Sequence, residues 1–384
     1  MLDEVGKMAE AAEARIARIA VCGAGWWSQG WHLPHLSRQS DARIVAIVEP
    51  MAFPRSAINE LEPLAALGER YGAPTFSSVD ELFESGVEVD GLLVCTTHAS
   101  HYEIGVRGLR AGCHVLMEKP MTVDVAEARL LAAEARGSAR TFMVNNTANW
   151  RSQCRLAAEA VASRALGDIE HVACMMHSPL MWLFDDPANT GWTQPCGGMS
   201  GNGFGWGQLS HLLAWVFKVT QLRPVEAYAA MGRSGRSGAD LTDAAVLRCA
   251  GGASIALSGA ASVPGDAHSD CPVGKYVSVR IFGSAGMLTY EGDDQSPASG
   301  ALVLARRGGP REVLADEFHF ENYDNSEGST GPESLHAFVA ASRGRDVFVG
   351  ASETEGLRVV CTLDAMYRSA KSGRAEPVVE EHCH

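Results

Sequence analysis

A short apolar run, Arg18-Ile19-Ala20-Val21-Cys22, is followed at once by Gly23-Ala24-Gly25-Trp26-Trp27-Ser28, a GxGxx(G) turn with serine at the third small position. Glycines there let the backbone turn tightly and approach an anion, and a following helix offers free N–H groups and the positive end of its dipole. Ser28 relaxes helix–strand packing without removing the anion site. Such turns are common, so the context decides. A second run, Ile44-Val45-Ala46-Ile47-Val48, ends on Glu49, at the spacing where a carboxylate can accept hydrogen bonds from both hydroxyls of a ribose. The alternative for Glu49 is a solvated strand end. Taken together, Gly23, Gly25, Trp26, Trp27, Ser28 and Glu49 describe a dinucleotide site. A carboxylate at Glu49 repels a 2′-phosphate, which favours NAD over NADP, and the nearby Arg55 works against that preference.

The surrounding elements must hold this site at a strand end. From Arg18 to about Leu116, short apolar runs alternate with helical stretches, the pattern of βαβ units in a parallel sheet. Strands are expected at Arg18–Cys22, Ile44–Val48, Gly91–Cys95, His114–Met117 and Thr141–Val144, with helices over Ser56–Tyr71, Ser78–Ser85 and Val123–Arg136. After Asn149 the character changes. A helix (Cys154–Ser163) leads into strands at Ile169–Met176, Val225–Met231, Ala244–Ala250, Ser254–Ser258 and Val277–Phe282, which predicts a mainly antiparallel sheet. Gly292–Gly300 reads as a polar surface loop. A last amphipathic helix, Glu353–Ser369, could pack on either domain. The expected fold is α/β: a Rossmann domain over 1–148, whose first 17 residues are an extension, and a second α/β domain over 149–384.

At 384 residues the chain exceeds one ordinary core, which supports two domains. A formal charge of -14 disfavours nucleic acid or an anionic membrane surface as partner and leaves a small molecule. No apolar run is long enough to span a bilayer, and Met1 to Arg18 lacks the basic start and apolar stretch of a secretory signal, so a cytoplasmic location is expected. The ten cysteines are scattered singly with no CxxC pair, which reads as buried free thiols. Glu380-Glu381-His382-Cys383-His384 offers metal-ligand types at a chain end, where binding is usually adventitious; no functional metal is expected.

Two further stretches carry a resemblance. Cys95-Thr96-Thr97-His98-Ala99-Ser100-His101 and Ala111-Gly112-Cys113-His114-Val115-Leu116-Met117-Glu118-Lys119-Pro120 resemble the glucose–fructose oxidoreductase/inositol dehydrogenase/rhizopine catabolism (Gfo/Idh/MocA) family, the AGxHVxxEKP run being specific. Gly191-Trp192 before a Gly-rich turn, His211, Val279 to Gly286 and Tyr367 to Gly373 extend the match over nearly the whole chain from Arg18 to Pro377. The resemblance implies a Rossmann domain, a second domain with a large open antiparallel sheet, and a homodimer or homotetramer formed through that sheet. It also implies a sugar, polyol, sugar nucleotide or related cyclic alcohol as substrate. It adds Thr96, Thr97, His98, His101, Glu118 and Lys119 to the cofactor-binding set, although Thr97 and His98 depart from the family's TPN-type turn and His101 reads equally as a local cap.

By the same match Lys119 is the catalytic residue between nicotinamide and substrate, next to Pro120, where an unusual peptide geometry is allowed. An ammonium there stabilises developing alkoxide charge and relays a proton if burial lowers its pKa. His211 stands where the family has D-x-G-x-H and is suited to take the alcohol proton. The pattern is altered: Gly207 replaces the Asp and Leu209 the Gly. His211 then works with Lys119 alone, or Gln208 or Asn202 supplies the second polar contact. Asn146, Asn149, Trp192, Asn202, Trp206 and Gln208 complete a candidate substrate set, because indole faces stack on sugar rings and amides pair with hydroxyls. Each could equally be structural, and His177, His268 and Asp270 read as loop polarity.

The expected function is an NAD(P)-dependent oxidoreductase that moves a hydride between nicotinamide and a secondary alcohol or ketone of a sugar-like substrate. Two alternatives stay open: redox-neutral, NAD-dependent elimination through a keto-sugar, and a catalytically silent sensor of nucleotide or sugar. Against the sensor stand Glu118-Lys119-Pro120 and His211, which such a protein does not need.

Overall fold

A computed structural model describes residues 15–265, 274–322 and 326–380. The chain divides into two compact units. The first comprises the described parts of Met1–Met121, Leu130–Asn145 and Tyr323–Glu353; the second takes Thr122–Arg129, Asn146–Asn322 and Thr354–His384, so the second half of the chain is shared between the units rather than running unbroken to its end.

The first unit is built on a six-stranded parallel sheet of β1 (Ala17–Cys22), β2 (Ala42–Val48), β3 (Thr75–Phe76), β4 (Gly91–Val94), β5 (His114–Met117) and β6 (Phe142–Val144), in the order β3-β2-β1-β4-β5-β6. These strands read as near-continuous apolar runs because both faces of a parallel sheet are covered, and Ile19, Ala20, Val21, Leu92, Val94, Val115 and Met117 are fully buried. The order reverses between β1 and β4. At such a switch point the crevice beyond the carboxyl ends of the strands is where open α/β sheets take ligands.

The second unit carries a nine-stranded sheet of β7 (Ile169–His177), β8 (Pro224–Arg233), β9 (Asp240–Cys249), β10 (Ser254–Ala260), β11 (Tyr276–Gly283), β12 (Gly286–Asp293), β13 (Ser296–Arg306), β14 (Arg311–Ala315) and β15 (Glu376–Pro377). Its order is β14-β13-β12-β11-β7-β10-β9-β8-β15. All neighbours are antiparallel except β7 and β10, which run parallel. Alternation along β9, with Ala245, Leu247 and Cys249 buried and Ala244, Val246 and Arg248 exposed, separates a covered face from an open one. Helix Ser210–Thr220 is buried nearly all round, as its sequence SHLLAWVFKVT requires.

Several expected boundaries move. The helix expected from Ser56 begins at Leu64, because Pro63 holds the entry in extended conformation and disfavours helix in the residue before it. Gly292–Gly300 is no loop: β12 and β13 continue through it as a hairpin, Asp293 pairs with Ser296, and the exposed polar side chains sit on a ladder held by backbone bonds. The final helix runs Glu353–Ser372. The eight described cysteines are free thiols, with Cys95 and Cys196 half-buried and the rest buried. Cys271, His268, Asp270 and Glu381–His384 lie outside the described residues. Among the described residues no helix is long and apolar enough to cross a membrane.

Candidate active site

In the first unit, β1 delivers the chain directly into Gly23, whose φ is +96°. A Cβ at this position would lie 2.1 Å from the Cys95 carbonyl oxygen, so only glycine allows β1 and β4 to close at the switch point. Gly25 faces open space, with nothing within 4 Å of where its Cβ would be. A helical run over 26–38 follows, and its first turn has N–H groups with no carbonyl of the helix to meet. An open cradle of backbone donors after a forced turn fits a pyrophosphate. Ser28 fills the third small position fully buried, its hydroxyl without a hydrogen-bond partner among the described residues.

Glu49 ends β2 beside this turn. Its Oε2 accepts the Ala24 N–H at 2.9 Å and its Oε1 the Met51 N–H at 3.1 Å, so the carboxylate is fixed against the turn while both oxygens keep lone-pair capacity for hydroxyls. Arg55 is exposed. Trp26 packs edge-on against Trp27 at 5.2 Å, Trp27 stacks on Trp31 at 4.9 Å, and Trp31 meets His35 edge-on, giving the helix an aromatic spine.

The ends of β4 and β5 bring Thr96, Thr97, His98, Glu118 and Lys119 to the same edge of the sheet, since Val94 pairs with both Cys22 and Met117. The Lys119–Pro120 peptide is cis. Glu118, expected on the cofactor, is instead a buried anchor: its Oε1 accepts from Trp27 Nε1 (3.2 Å), His32 Nε2 (2.7 Å) and Asn145 Nδ2 (2.7 Å), and its Oε2 accepts the Lys119 N–H at 3.1 Å. Asn145 is itself held by Ser334 Oγ at 2.7 Å. Burial pushes the Glu118 carboxyl up, but the His32 bond and charge, the Asn145 bond and the Lys119 charge outweigh it and bring it down to about 2. A depressed carboxyl stabilises the fold above its ordinary value and loses that contribution as pH falls. Acid titration of the wild type should therefore lose on the order of 3 kcal/mol between pH 4.5 and about 2 that Glu118→Gln does not lose. Equal acid dependence of the two proteins in urea melts would refute this.

His101 is likewise turned inward. It is fully buried, with Nδ1 3.0 Å from the Pro120 carbonyl and Nε2 3.3 Å from that of Thr96, so its ring N–H ties the helix start to one of these two loops, and burial lowers its pKa. Thr96 Oγ1 accepts from Ser100 Oγ at 2.8 Å.

In the second unit, a π-helical turn, Gly205–Leu209, feeds the helix Ser210–Thr220 that carries His211. His211 Nδ1 lies 2.7 Å from Glu321 Oε1, and Glu321 Oε2 pairs with Lys275 Nζ. Neither Glu321 nor Lys275 was anticipated from sequence. Most of the amides expected on substrate are spent on backbone instead. Asn149 Nδ2 donates to the Ala214 carbonyl (3.1 Å) and Asn146 Nδ2 to that of Ser210 (3.5 Å), so both brace the His211 helix. Asn202 closes its own Gly-rich loop, donating to the Gly191 and Gln194 carbonyls and accepting the Gly203 N–H. Trp206 is 1% exposed and stacks on Tyr367 at 5.9 Å, which makes it a core residue. Trp192 is half-buried, and Gln208 is buried with its Oε1 unpartnered among the described residues. These two remain as candidates for substrate.

Residues 17–146 match the model of an oxidoreductase family with an NAD-binding Rossmann fold, and residues 154–289 match the GFO/IDH/MocA C-terminal domain. The chain belongs to the Gfo/Idh/MocA oxidoreductase family. D-glucoside 3-dehydrogenase of Escherichia coli is 26% identical over 152 residues, 40% of this chain and 41% of that protein. Inositol 2-dehydrogenase of Rhizobium meliloti is 25% identical over 162 residues, 42% of this chain and 46% of the relative. The chain thus aligns with less than half the length of these curated relatives. Levoglucosan dehydrogenase, solved with NADH and levoglucosan, shares the fold with a TM-score of 0.72 at 16% identity, over 96% of this chain and all of that one.

Within the Gfo/Idh/MocA frame the altered D-x-G-x-H pattern has a steric cause. A Cβ at Gly207 would sit 2.5 Å from Phe184 Cζ and 2.9 Å from its Cε1. The Phe184 ring is fully buried, edge-on to Phe204 at 5.8 Å and to Trp192 at 6.4 Å. An aromatic wall thus stands where the pattern calls for a carboxylate.

Proposed function

We propose that this chain is an NAD-dependent dehydrogenase or ketoreductase acting on a secondary alcohol of a sugar, glycoside or inositol-like ring. The observation that carries the reading is Lys119 at the end of β5, tied through its own N–H to the buried Glu118 network, on the same sheet edge as the Gly23–Gly25 turn and Glu49. A nicotinamide dinucleotide held by the Gly23–Gly25 turn and Glu49 would supply the hydride acceptor for the carbinol carbon. Glu49 would receive the ribose hydroxyls and disfavour a 2′-phosphate. The Lys119 ammonium would stabilise the oxygen as its proton leaves, and His211 would take that proton; hydride and proton together account for the two hydrogens lost from CH–OH. The names of the glucoside, inositol and levoglucosan enzymes support a cyclic polyol as substrate.

The direct test mixes the protein with NAD or NADP and a panel of glycosides, sugars and inositols, and follows the absorbance of the reduced nicotinamide. A signal with NAD and one ring class is expected. Silence across the panel while NAD binds, or product formed without added cofactor, would overturn the dehydrogenase reading, the second outcome in favour of redox-neutral elimination.

We further propose a cytoplasmic homodimer or homotetramer assembled through the open face of the nine-stranded sheet. One row across this face runs Tyr228, Val246, Ala256, Ala173, Arg280, and Tyr228 and Val246 are more than half exposed. Small residues at the centre let a second sheet approach closely, and exposed apolar ones reward it. Val246→Glu should reduce the mass measured by light scattering toward that of one chain; an unchanged oligomer would place the interface elsewhere.

A further inference from the structure

Between the helix that carries His211 and the hairpin of β12 and β13, the segment 317–322 is clasped in an irregular but heavily determined path. The Asp294 carboxylate, at the hairpin turn, accepts three successive backbone N–H groups, from Phe320 (2.8 Å), Glu321 (2.9 Å) and Asn322 (2.7 Å). Tyr290 Oη donates to the His319 carbonyl at 2.5 Å, Arg151 Nε reaches the Phe320 carbonyl at 3.4 Å, and Gln153 Nε2 that of Glu317 at 3.1 Å. Phe318 and Phe320 pack with Tyr290, and Tyr290 stacks on Trp215 of the His211 helix at 5.4 Å. A loop fixed at so many points holds one side chain as rigidly as a strand would. The side chain it presents is Glu321, 8% exposed, with one oxygen on His211 Nδ1 and the other on Lys275.

We propose that Glu321 is the positioning residue for His211, taking the place of the carboxylate that Phe184 excludes at Gly207, and that Lys275 sets how much of its charge the imidazole feels. The inference rests on the role given to His211 above. The carboxylate lies 2.7 Å from Nδ1 but off the line of a ring N–H bond; a small turn of either side chain that aligns the two would hold hydrogen on that nitrogen, leave the basic Nε2 for the proton to be taken, and stabilise the imidazolium once the proton arrives. The charged groups around the pair are Lys275, Asp294, Arg151 and the neighbouring Glu317–His319 pair. Burial by itself would raise the Glu321 carboxyl; the His211 and Lys275 charges and bonds outweigh it and hold it well below the usual carboxylate range.

Two substitutions separate this arrangement from simple packing. Glu321→Gln keeps shape and an acceptor but removes the charge, and Lys275→Met removes the opposing charge. The imidazole of His211 is followed by NMR of histidine-labelled full-length protein, its signal assigned by its absence in His211→Asn. Glu321→Gln should lower the imidazole pKa so that proton affinity falls about tenfold, and Lys275→Met should raise it. With substrate, the acid limb of kcat/KM should move to lower pH in Glu321→Gln by the same increment, while its plateau falls about tenfold and NAD affinity stays within about twofold. A structural role alone gives no such opposite shifts. An imidazole pKa unchanged in both variants, or moved in the same direction by both, overturns the proposal. Opposite shifts with an immobile acid limb uphold the Glu321 pairing and instead remove His211 from the role of base.

Discussion

Lys119→Ala should lower kcat by a factor on the order of 10³, about 4 kcal/mol of transition-state stabilisation, while changing NAD affinity by less than about threefold. The size follows from the task assigned to the ammonium, charge stabilisation on the reacting oxygen, since loss of one such preorganised donor ordinarily costs about a hundred- to a thousandfold. The small effect on NAD follows from where the cofactor contacts lie: the turn at Gly23 to Ser28 and the Glu49 carboxylate, whose geometry is fixed by Cys95 and by the Ala24 and Met51 N–H groups and not by the Lys119 side chain. A rival account makes Lys119 a counter-charge for Glu118, which that charge does help to keep ionised. The two accounts separate on stability. Glu118 already has three donors on Oε1 and a backbone N–H on Oε2, so loss of the lysine charge leaves it hydrogen-bonded and the thermal midpoint should fall only slightly. Lys119→Arg should keep the charge and still lose most of the activity, because a planar guanidinium fork does not place its charge on the reacting oxygen as a compact ammonium does. Wild-type turnover in Lys119→Ala, or a large fall in midpoint with kcat spared, would remove Lys119 from the chemistry.

How much of this was legible beforehand depended on whether the signal was local. The strand Arg18–Cys22 and its Gly23 turn were readable because an apolar run ending in glycines has few other uses, and the acidic residue at the end of β2 did come to rest on the turn, bonded to Ala24. Helix onset at Leu64 rather than Ser56 was in principle readable from Pro63. The polar hairpin at Gly292–Gly300 was not, because an edge ladder needs only backbone partners and leaves no apolar alternation. Residue type left His101, Asn149 and Asn202 open between ligand and structural partner for one shared reason: an imidazole or amide suited to a ligand is equally suited to a backbone carbonyl, and only the folded structure shows the carbonyl beside it. Glu321 was invisible for the opposite reason. It lies beyond the matched family segments, in a polar stretch whose only mark is the alternation Phe318-His319-Phe320, and its meaning comes from Asp294 and His211, distant in sequence.

The largest stability effect should come from restoring the family's own residue. Gly207→Asp ought to destabilise the protein by about 2–4 kcal/mol and lower activity, not raise it. The new Cβ would stand 2.5 Å from Phe184 Cζ, well inside contact distance, and the ring has nowhere to turn, being buried between Phe204 and Trp192. The carboxylate would also enter an apolar wall. Phe184→Ala makes the required space at the cost of a cavity, and in the double variant the introduced carboxylate can occupy part of it. The two changes should therefore couple: the double variant should be more stable than the sum of the single losses by at least about 1 kcal/mol in denaturant melts. Additive losses would mean that Phe184 is not what keeps position 207 bare. A stable and more active Gly207→Asp would mean that this site still wants the carboxylate on the turn, and that Glu321 has not replaced it.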